Sequence, residues 1–211
     1  MSLKKDGTII ILSSPSGAGK TTLANLLSHK LDYYISVSHT TREPRANEIH
    51  GQHYYFTNKK NFEQLIKKNK FLEHAQVFKN LYGTSKEIVF DKLSNGKNVI
   101  FDIDWQGAEQ IRKKNLKYKI LSFFVLPPSK KELYNRLKHR EKKDNLIVDE
   151  RMKQFNKDVY HWKEYDYILI NDQLVDCTKK LIDIILKENN SVKTTQDKEQ
   201  IKNHIDILLT D

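Results

Sequence analysis

The sequence predicts an α/β protein with a central parallel sheet flanked by helices. Three observations support this fold class. Short apolar, β-branched runs alternate along the chain with longer segments whose apolar residues recur at helical spacing. The first apolar run leads into a loop of small residues and then a helix, the layout of a phosphate-binding loop. Polar residues follow several of the apolar runs, at the strand ends where parallel sheets collect ligands.

The elements are justified in chain order by these patterns. Strands are predicted where β-branched and aromatic residues cluster, at residues 8–13, 34–38, 54–56, 71–77, 98–103, 120–126 and 167–170. Helices are predicted where apolar residues recur every three or four positions, at residues 20–31, 61–69, 85–94, 106–114, 130–140, 148–162 and 177–187. A charged gap at 141–145 separates two of these helices, and Gly83 predicts a turn at Tyr82-Gly83-Thr84.

The order of these elements predicts the domain organisation. One domain is expected over residues 1–187, with its core at 1–36 and 98–187. Residues of about 37–97 interrupt the alternation with short strands and turns, which predicts an inserted mixed α/β lobe. The polar residues 188–200 predict a flexible linker within the tail 188–211. In that tail Ile201, Ile205 and Leu208 predict a short amphipathic helix.

The amino-acid composition limits the cellular compartment and the binding partners that we expect for this protein. The 211 residues include 37 Lys and Arg against 27 Asp and Glu, a formal net charge of +10. Such a charge suits nucleic acid, a membrane surface or small anionic substrates, but the lysines are spread out and indicate solvated surface. Cys177 is the single cysteine, the first residues carry no signal-peptide pattern, and no apolar run reaches membrane-spanning length. We therefore expect a cytoplasmic protein with no membrane or nucleic-acid partner, and no zinc site.

The stretch Gly-Thr-Ile-Ile-Ile-Leu-Ser-Ser-Pro-Ser-Gly-Ala-Gly-Lys-Thr-Thr at residues 7–22 is the most informative part of the chain. Backbone N–H groups must curl around an anion there, so small residues are required, and the helix that follows directs its positive end at the same place. Lys20 is expected to contact the β- and γ-phosphates and the Thr21 hydroxyl to face Mg²⁺. The predicted ATP contacts in this stretch are Ser14, Pro15, Ser16, Gly17, Ala18, Gly19, Lys20, Thr21 and Thr22. The alternative is a glycine-rich turn that binds nothing.

A second group of residues indicates a site for another phosphate. Arg42 and Arg45 flank Pro44, so both guanidinium groups could fork onto one dianionic phosphate. Tyr54 and Tyr82 could each add a phenolic hydroxyl, although packing is the commoner use of such tyrosines.

Base recognition is expected beside that phosphate. Glu73 lies in an apolar stretch and could accept two N–H bonds from a guanine edge, which adenine does not offer. Ser38 and Thr84 could complete the recognition of the base. The alternative for Glu73 is a solvated strand face. Asp102 and Asp104 are two residues apart at the end of a buried strand, so on a regular strand their side chains share one face. Rather than bind a ligand, one of them could cap the helix that follows.

Taken together, these motifs resemble the guanylate kinase family. The resemblance rests on residues 14–21, on Val-Ser-His-Thr-Thr-Arg-Glu-Pro-Arg at 37–45, and on six further motifs in the same order: Gly-Gln-His-Tyr-Tyr-Phe at 51–56, Phe-Leu-Glu-His-Ala-Gln at 71–76, Tyr-Gly-Thr at 82–84, Asp-Ile-Asp-Trp-Gln-Gly at 102–107, Leu-Pro-Pro-Ser at 126–129 and Ile-Asn-Asp at 170–172. It runs from about residue 7 to 187. The departures are Ser14 for the first loop glycine, Asn47 where the family usually has glycine, and the tail.

The resemblance implies a P-loop kinase fold and a role for each matching residue. It implies that the inserted lobe binds GMP and that residues of about 128–157 form a small mobile lid. The implied GMP contacts are Ser38, Arg42, Arg45, Tyr54, Glu73, Tyr82, Thr84 and Asp104. Asp102 is implied either to organise Mg²⁺ through water or to order Lys20. Arg136 and Asn171 join the ATP contacts, Asn171 on the adenine side, and the implied catalytic residues are Lys20, Arg42, Arg140 and Arg151. The alternative for Arg136 and Arg140 is surface ion pairing with Glu132 and Glu141.

The implied reaction is transfer of the terminal phosphate of ATP to GMP, giving ADP and GDP, with Mg²⁺ as cofactor. Its substrates would be ATP and GMP, and possible use of dGMP stays open, as does the choice between a monomer and a homo-oligomer. Three alternatives remain at this point: a non-catalytic guanylate-kinase-like binding module, a protein that binds RNA or DNA, and a kinase for another nucleoside monophosphate.

Overall fold

In this computed structural model, the described part of the chain comprises residues 6–141 and 144–210. Within it, nine strands form two sheets. The strands are β1 (Ile9–Ser13), β2 (Tyr34–Ile35), β3 (Ser38–Thr40), β4 (Tyr55–Phe56), β5 (Phe71–Val77), β6 (Asn80–Ser85), β7 (Val99–Asp102), β8 (Ile120–Leu126) and β9 (Tyr167–Ile170). The helices are α1 (Lys20–Leu31), α2 (Lys59–Lys67), α3 (Lys86–Ser94), α4 (Trp105–Lys113), α5 (Lys130–Arg140), α6 (Asn145–Val159), α7 (Leu174–Asn189) and α8 (Lys198–Thr210), and a 3-10 helix spans Tyr160–Glu164.

The first sheet has the strand order β2-β7-β1-β8-β9. Strand β2 pairs with β7 in parallel, with Tyr34 opposite Val99, and β8 pairs with β9 in parallel, with Phe123 opposite Tyr167. All five residues of β1 are buried, as expected for a parallel strand covered on both faces. The predicted α/β fold class, a central parallel sheet flanked by helices, is confirmed.

The second sheet has the order β4-β3-β6-β5 and is mostly antiparallel. It shows that two local predictions were wrong. The predicted strand 34–38 is two strands in different sheets, because Ser36 gives its last backbone bond to Ile100 and the chain then leaves the first sheet. The predicted turn at residues 82–84 lies inside β6, and the hairpin turns at Phe78 instead, whose φ is +54°.

Gly83 explains the second error. This residue is buried in β6, and a Cβ there would lie 3.1 Å from both Phe62 and Phe71. The glycine therefore permits two aromatic rings to press against the strand, which is the other common use of glycine within a sheet.

Helix ends follow from local capping. Asn58, Asp104, Ser129 and Asp144 cap α2, α4, α5 and α6 with side-chain oxygens that accept backbone N–H groups. Helix α6 begins three residues before its predicted start, because Asp144, which lies within the predicted charged gap, caps it. Its C-terminal end passes into the 3-10 helix.

Contacts divide the chain into two compact units. The first contains the residues up to Ile11 and Asp32–Ile120, and the second contains Leu12–Leu31 and the residues from Leu121 onward. This grouping differs from the predicted division into a core, a lobe and a lid, which stays a prediction. Residues 1–5, 142, 143 and 211, which belong to the predicted domain, lid and tail, lie outside the described residues.

The C-terminal segment packs within the second unit. Ile201, Ile205 and Leu208 of α8 are buried, which confirms the amphipathic helix. The segment before α8 is less loose than predicted, because the Gln196 side chain both accepts the backbone N–H of Ile168 and donates to its carbonyl, at 2.8 Å each. None of the helices in residues 6–141 and 144–210 is long and apolar enough to cross a membrane.

Candidate active site

The phosphate loop joins β1 to α1, and its residues 14–19 belong to the second unit. Gly17 and Gly19 have φ values of +94° and +97°, a left-handed backbone that L side chains rarely adopt. A Cβ on Gly19 would also overlap the side-chain amide of Asn171. Ser14 is not among the described residues with positive φ, so a side chain is tolerated where the motif usually has glycine. Lys20 and Thr21 are the first two residues of α1, at its positive end.

Asn171 lies against the backbone of this loop. It follows β9, is 4% exposed, and donates its side-chain N–H to the Ala18 carbonyl at 2.8 Å. Arg136 in turn donates to the backbone carbonyl of Asn171 at 3.0 Å and pairs with Glu132 at 2.9 Å. The amide group of Asn171 is thus engaged with the loop itself.

Arg140 and Arg151 meet at the loop from two different helices. Arg140 at the end of α5 donates to the Ser16 hydroxyl at 3.0 Å, and Arg151 in α6 donates to the same oxygen at 3.3 Å. Both guanidinium groups also pair with one carboxylate oxygen of Glu141, at 3.1 Å and 2.9 Å. The ion pair between Arg140 and Glu141 that the sequence suggested is present, but it belongs to this cluster rather than to an isolated surface pair.

The three residues predicted to read the base lie side by side in the first unit. Ser38 of β3 and Glu73 of β5 are both opposite Thr84 of the central strand β6. The hydroxyls of Ser38 and Thr84 are 3.0 Å apart. Glu73 is 2% exposed, so the alternative of a solvated strand face is wrong. A Cβ on Gly107 would lie 2.5 Å from the Glu73 carboxylate, which shows how closely α4 approaches it.

Arg42 and Arg45 converge, as predicted, but on a residue that the sequence analysis did not single out. Arg42 donates from one nitrogen to both oxygens of Glu48, at 2.7 Å and 2.9 Å. Arg45 donates to Glu48 through its backbone N–H at 2.8 Å and its guanidinium at 3.3 Å. The spacing of three between Arg45 and Glu48 in a turn-forming segment is the signal that could have revealed this contact.

The two predicted tyrosines adjoin Arg42. The Tyr54 and Tyr82 ring centroids are 6.0 Å apart, and the Arg42 guanidinium carbon lies 5.5 Å from the Tyr54 centroid. Burial, together with the negative charge of Asp102, raises the pKa of Tyr54 well above its ordinary value. The Tyr54 hydroxyl therefore keeps its proton and can donate a hydrogen bond.

The two aspartates after β7 differ in their surroundings. Asp104 caps α4, accepting from the backbone N–H of Gly107 at 3.0 Å and from the Gln106 side chain at 2.9 Å. The capping alternative therefore holds for Asp104. Asp102 ends β7 and is half-buried. Within the described residues there is no cluster of three or more His, Cys, Asp or Glu side chains that could hold a metal on their own.

A parallel α/β sheet with a glycine-bearing loop at a helix N-terminus, and arginines on that loop, defines a P-loop phosphotransferase. Comparison with known proteins narrows this class. A family model described as guanylate kinase matches residues 6–188. A curated guanylate kinase of Escherichia coli K12 is 43% identical over 208 residues, 97% of this chain and 99% of its own, and one of Buchnera aphidicola is 46% identical over 187 residues, 87% and 89% of the two chains.

The structural comparison agrees. A crystal structure of guanylate kinase from Anaplasma phagocytophilum matches with a TM-score of 0.72 and 31% identity, over 88% of each chain. The chain belongs to the guanylate kinase family. The resemblance noted in the sequence is thereby confirmed, and so is the P-loop kinase fold.

Proposed function

We propose that the first unit binds GMP through Arg42, Arg45 and the row Ser38, Glu73 and Thr84, and that the second unit binds ATP through the phosphate loop. The reaction itself, ATP-dependent phosphorylation of GMP to GDP, follows from family membership, and the protein is an enzyme. The observation that carries the proposal is the row of three buried polar side chains on adjacent strands, because it brings one carboxylate and two hydroxyls together and these match the hydrogen-bonding groups of guanine.

Guanine is favoured over adenine by the Glu73 carboxylate. The Watson–Crick edge of guanine presents two adjacent N–H donors, and a carboxylate accepts both. Adenine presents a ring nitrogen acceptor at the matching position, which would face the carboxylate oxygen. Leaving a buried group so unsatisfied costs about 1–3 kcal/mol, and more for a charged one. The Ser38 and Thr84 hydroxyls can donate to or accept from the remaining base atoms, and Asp104 would contribute from the start of α4.

The GMP phosphate would be held by the two arginines and the two tyrosine hydroxyls. Arginine matches a phosphate with paired N–H groups, and the protonated Tyr54 adds a donor. A phosphate monoester has its second pKa near 6, so at neutral pH the attacking oxygen is already ionised. The reaction then needs placement and charge neutralisation rather than a general base.

On the ATP side, the backbone N–H groups of residues 14–22 other than Pro15, together with the Lys20 ammonium, would surround the phosphates, with Arg136 and Asn171 flanking the loop. Mg²⁺ suits an oxygen donor such as the Thr21 hydroxyl and would neutralise phosphate charge. The implied role of Asp102 toward Mg²⁺, through water, stays a prediction. Arg140 and Arg151, both bonded to the loop hydroxyl of Ser16, would neutralise the transferring group. Arginines in this role contribute roughly 10³- to 10⁵-fold to phosphoryl transfer. A cytoplasmic location stays a prediction.

The test is a coupled assay of ADP formation with ATP, Mg²⁺ and each of GMP, dGMP, AMP, CMP and UMP. We expect strong turnover with GMP. Lys20→Ala and Arg42→Ala should abolish useful turnover, and near wild-type kcat in either would contradict the assigned site. Glu73→Gln should lose GMP turnover by at least about a hundredfold, because the amide sets a donor against a guanine donor. Glu87→Gln, at an exposed position of α3, is the matched control and should behave as wild type.

Turnover with another nucleotide would keep the fold and overturn the guanine assignment. Well-folded protein without any turnover would favour the non-catalytic binding module, and a steep salt-dependent affinity for oligonucleotides would revive the nucleic-acid alternative.

A further inference from the structure

Glu48 is bonded to both arginines of the GMP phosphate site. Its two carboxylate oxygens each have two donors: one accepts from the Arg42 and Arg45 guanidinium groups, and the other from Arg42 and the Arg45 backbone N–H. Only 14% of its side chain is exposed, and 15% of the Arg42 side chain. Such a shared, sheltered carboxylate differs from an ordinary surface ion pair, which is solvated and contributes little.

Glu48 also closes the loop that carries both arginines. Its own backbone N–H donates to the Arg45 carbonyl at 3.0 Å, while its side chain accepts the Arg45 N–H. The two residues are therefore bonded reciprocally. At the same time the side chain reaches Arg42 at the other end of the segment, so one residue fixes the backbone of one arginine and the guanidinium of the other.

We propose that Glu48 is a positioning residue for GMP: it holds Arg42 and Arg45 so that both guanidinium groups meet the same phosphate. The inference rests on the proposed role of these two arginines. Arg42 has five N–H groups, and Glu48 takes up one nitrogen of its fork while the carbonyl of Glu43 accepts from another at 2.7 Å. The guanidinium is thereby fixed in orientation, with a further side-chain hydrogen bond to Tyr82. The phosphate of GMP would bond to its remaining N–H groups.

The geometry requires a carboxylate. Each oxygen of Glu48 accepts from a nitrogen of Arg42, so an amide at this position would set an NH₂ group against a guanidinium N–H whichever way it turned. Burial raises the pKa of Glu48, but the hydrogen bonds from Arg42 and the Arg45 backbone outweigh it, and the pKa lies below its ordinary value. The carboxylate is therefore ionised throughout the neutral range.

A different role would be competition, with Glu48 occupying the place of the phosphate until GMP displaces it. The reciprocal main-chain bonding with Arg45 favours positioning, because the Glu48 backbone N–H also donates to the Arg45 carbonyl and so ties Glu48 into the loop that carries both arginines. The two roles predict opposite effects on affinity. Removing a competitor strengthens GMP binding, whereas removing a positioning residue weakens it.

The experiment compares GMP with guanosine, which lacks the phosphate, by calorimetric titration of wild type, Glu48→Gln, Arg42→Ala and Glu43→Gln. Glu43 is exposed and only five residues away, so its variant removes the same charge while keeping the backbone carbonyl that accepts from Arg42. We expect Glu48→Gln to weaken GMP binding by about ten- to a hundredfold, the effect of losing one charge-assisted bond, with guanosine binding unchanged. In steady-state kinetics the KM for GMP should rise and the KM for ATP should stay constant.

Unchanged or tighter GMP binding in Glu48→Gln would overturn the proposal, and so would an equal loss for guanosine, which would indicate a disturbed lobe. If Glu48→Gln does not fold, the variant Glu48→Asp tests the proposal, because aspartate keeps the charge but has a shorter side chain. A partial loss of affinity for GMP, with the affinity for guanosine unchanged, would support positioning. Full wild-type affinity for GMP would refute it. Failure of the underlying assignment, that Arg42 and Arg45 bind the GMP phosphate, would give a different result from failure of the proposal for Glu48. In that case the wild-type protein would not prefer GMP to guanosine, or Arg42→Ala would bind GMP as tightly as wild type does.

Discussion

Asn171 offers the sharpest test of how the phosphate loop is supported. The family resemblance implies that Asn171 contacts adenine, but its buried side-chain amide donates to the Ala18 carbonyl of the loop at 2.8 Å. Within the described residues, its side-chain oxygen has no hydrogen-bond partner. We predict that Asn171→Asp is far more damaging than Asn171→Ala, because the aspartate would place an oxygen against the Ala18 carbonyl.

The magnitudes follow from these contacts. Asn171→Ala leaves the Ala18 carbonyl without this donor, a cost of about 1–3 kcal/mol, but it also removes the unpartnered side-chain oxygen, so the net loss of stability should be near 1 kcal/mol. Asn171→Asp loses the same bond and adds a buried charge, and it should cost at least about 3 kcal/mol. Asn203→Asp on the exposed side of α8 is the matched control and should be neutral.

Denaturant unfolding and steady-state kinetics with two phosphate donors separate the roles of Asn171. ITP carries an oxygen where ATP carries the 6-amino group of adenine. A residue that supports the loop should affect ATP and ITP equally and leave the KM for GMP unchanged. Asn171→Ala with unaltered stability and a loss confined to ATP would refute our reasoning and restore the adenine contact.

Three further predictions concern other parts of the site. Glu141→Gln should lower kcat about tenfold or more with little change in melting temperature, because Arg140 and Arg151 share its carboxylate. Gly83→Ala should destabilise the protein by about 1–3 kcal/mol in denaturant unfolding, because its Cβ would crowd two phenylalanine rings at 3.1 Å. Because the Tyr54 phenol has a raised pKa, Tyr54→Phe should weaken GMP binding by a factor that stays constant from pH 7 up to about 10, as measured by the KM for GMP.

Much of this arrangement could be predicted because it is local. The apolar run of β1, the small residues after it and the start of α1 are adjacent in sequence, so their pattern alone indicates a phosphate loop. The row of Ser38, Glu73 and Thr84 was harder to predict, because residues on three strands come together only in the right strand register. The residue types and the family resemblance indicated these three residues, whereas hydrophobic periodicity did not.

The errors arose where one residue type serves two purposes. Glycine is common in turns, so the sequence predicts a turn at Gly83. No local signal reveals that two aromatic rings from other elements approach this glycine. The strand at 34–38 was read as continuous, but Ser36 ends its pairing in one sheet two residues before the chain enters the other. Glu48 was overlooked because a glutamate near arginines on a loop is typical of a solvated surface pair, and its burial cannot be seen in the sequence.

Glu48 and Glu141 meet the same physical requirement in separate units. A site for a multiply charged phosphate needs several guanidinium groups close together, and those groups repel one another. One shared carboxylate relieves the repulsion and leaves each pair with a net positive charge that still attracts the anion. It also fixes long side chains that would otherwise lose up to about 2 kcal/mol of rotamer entropy each on binding. The benefit of each glutamate should therefore appear in nucleotide affinity and in turnover.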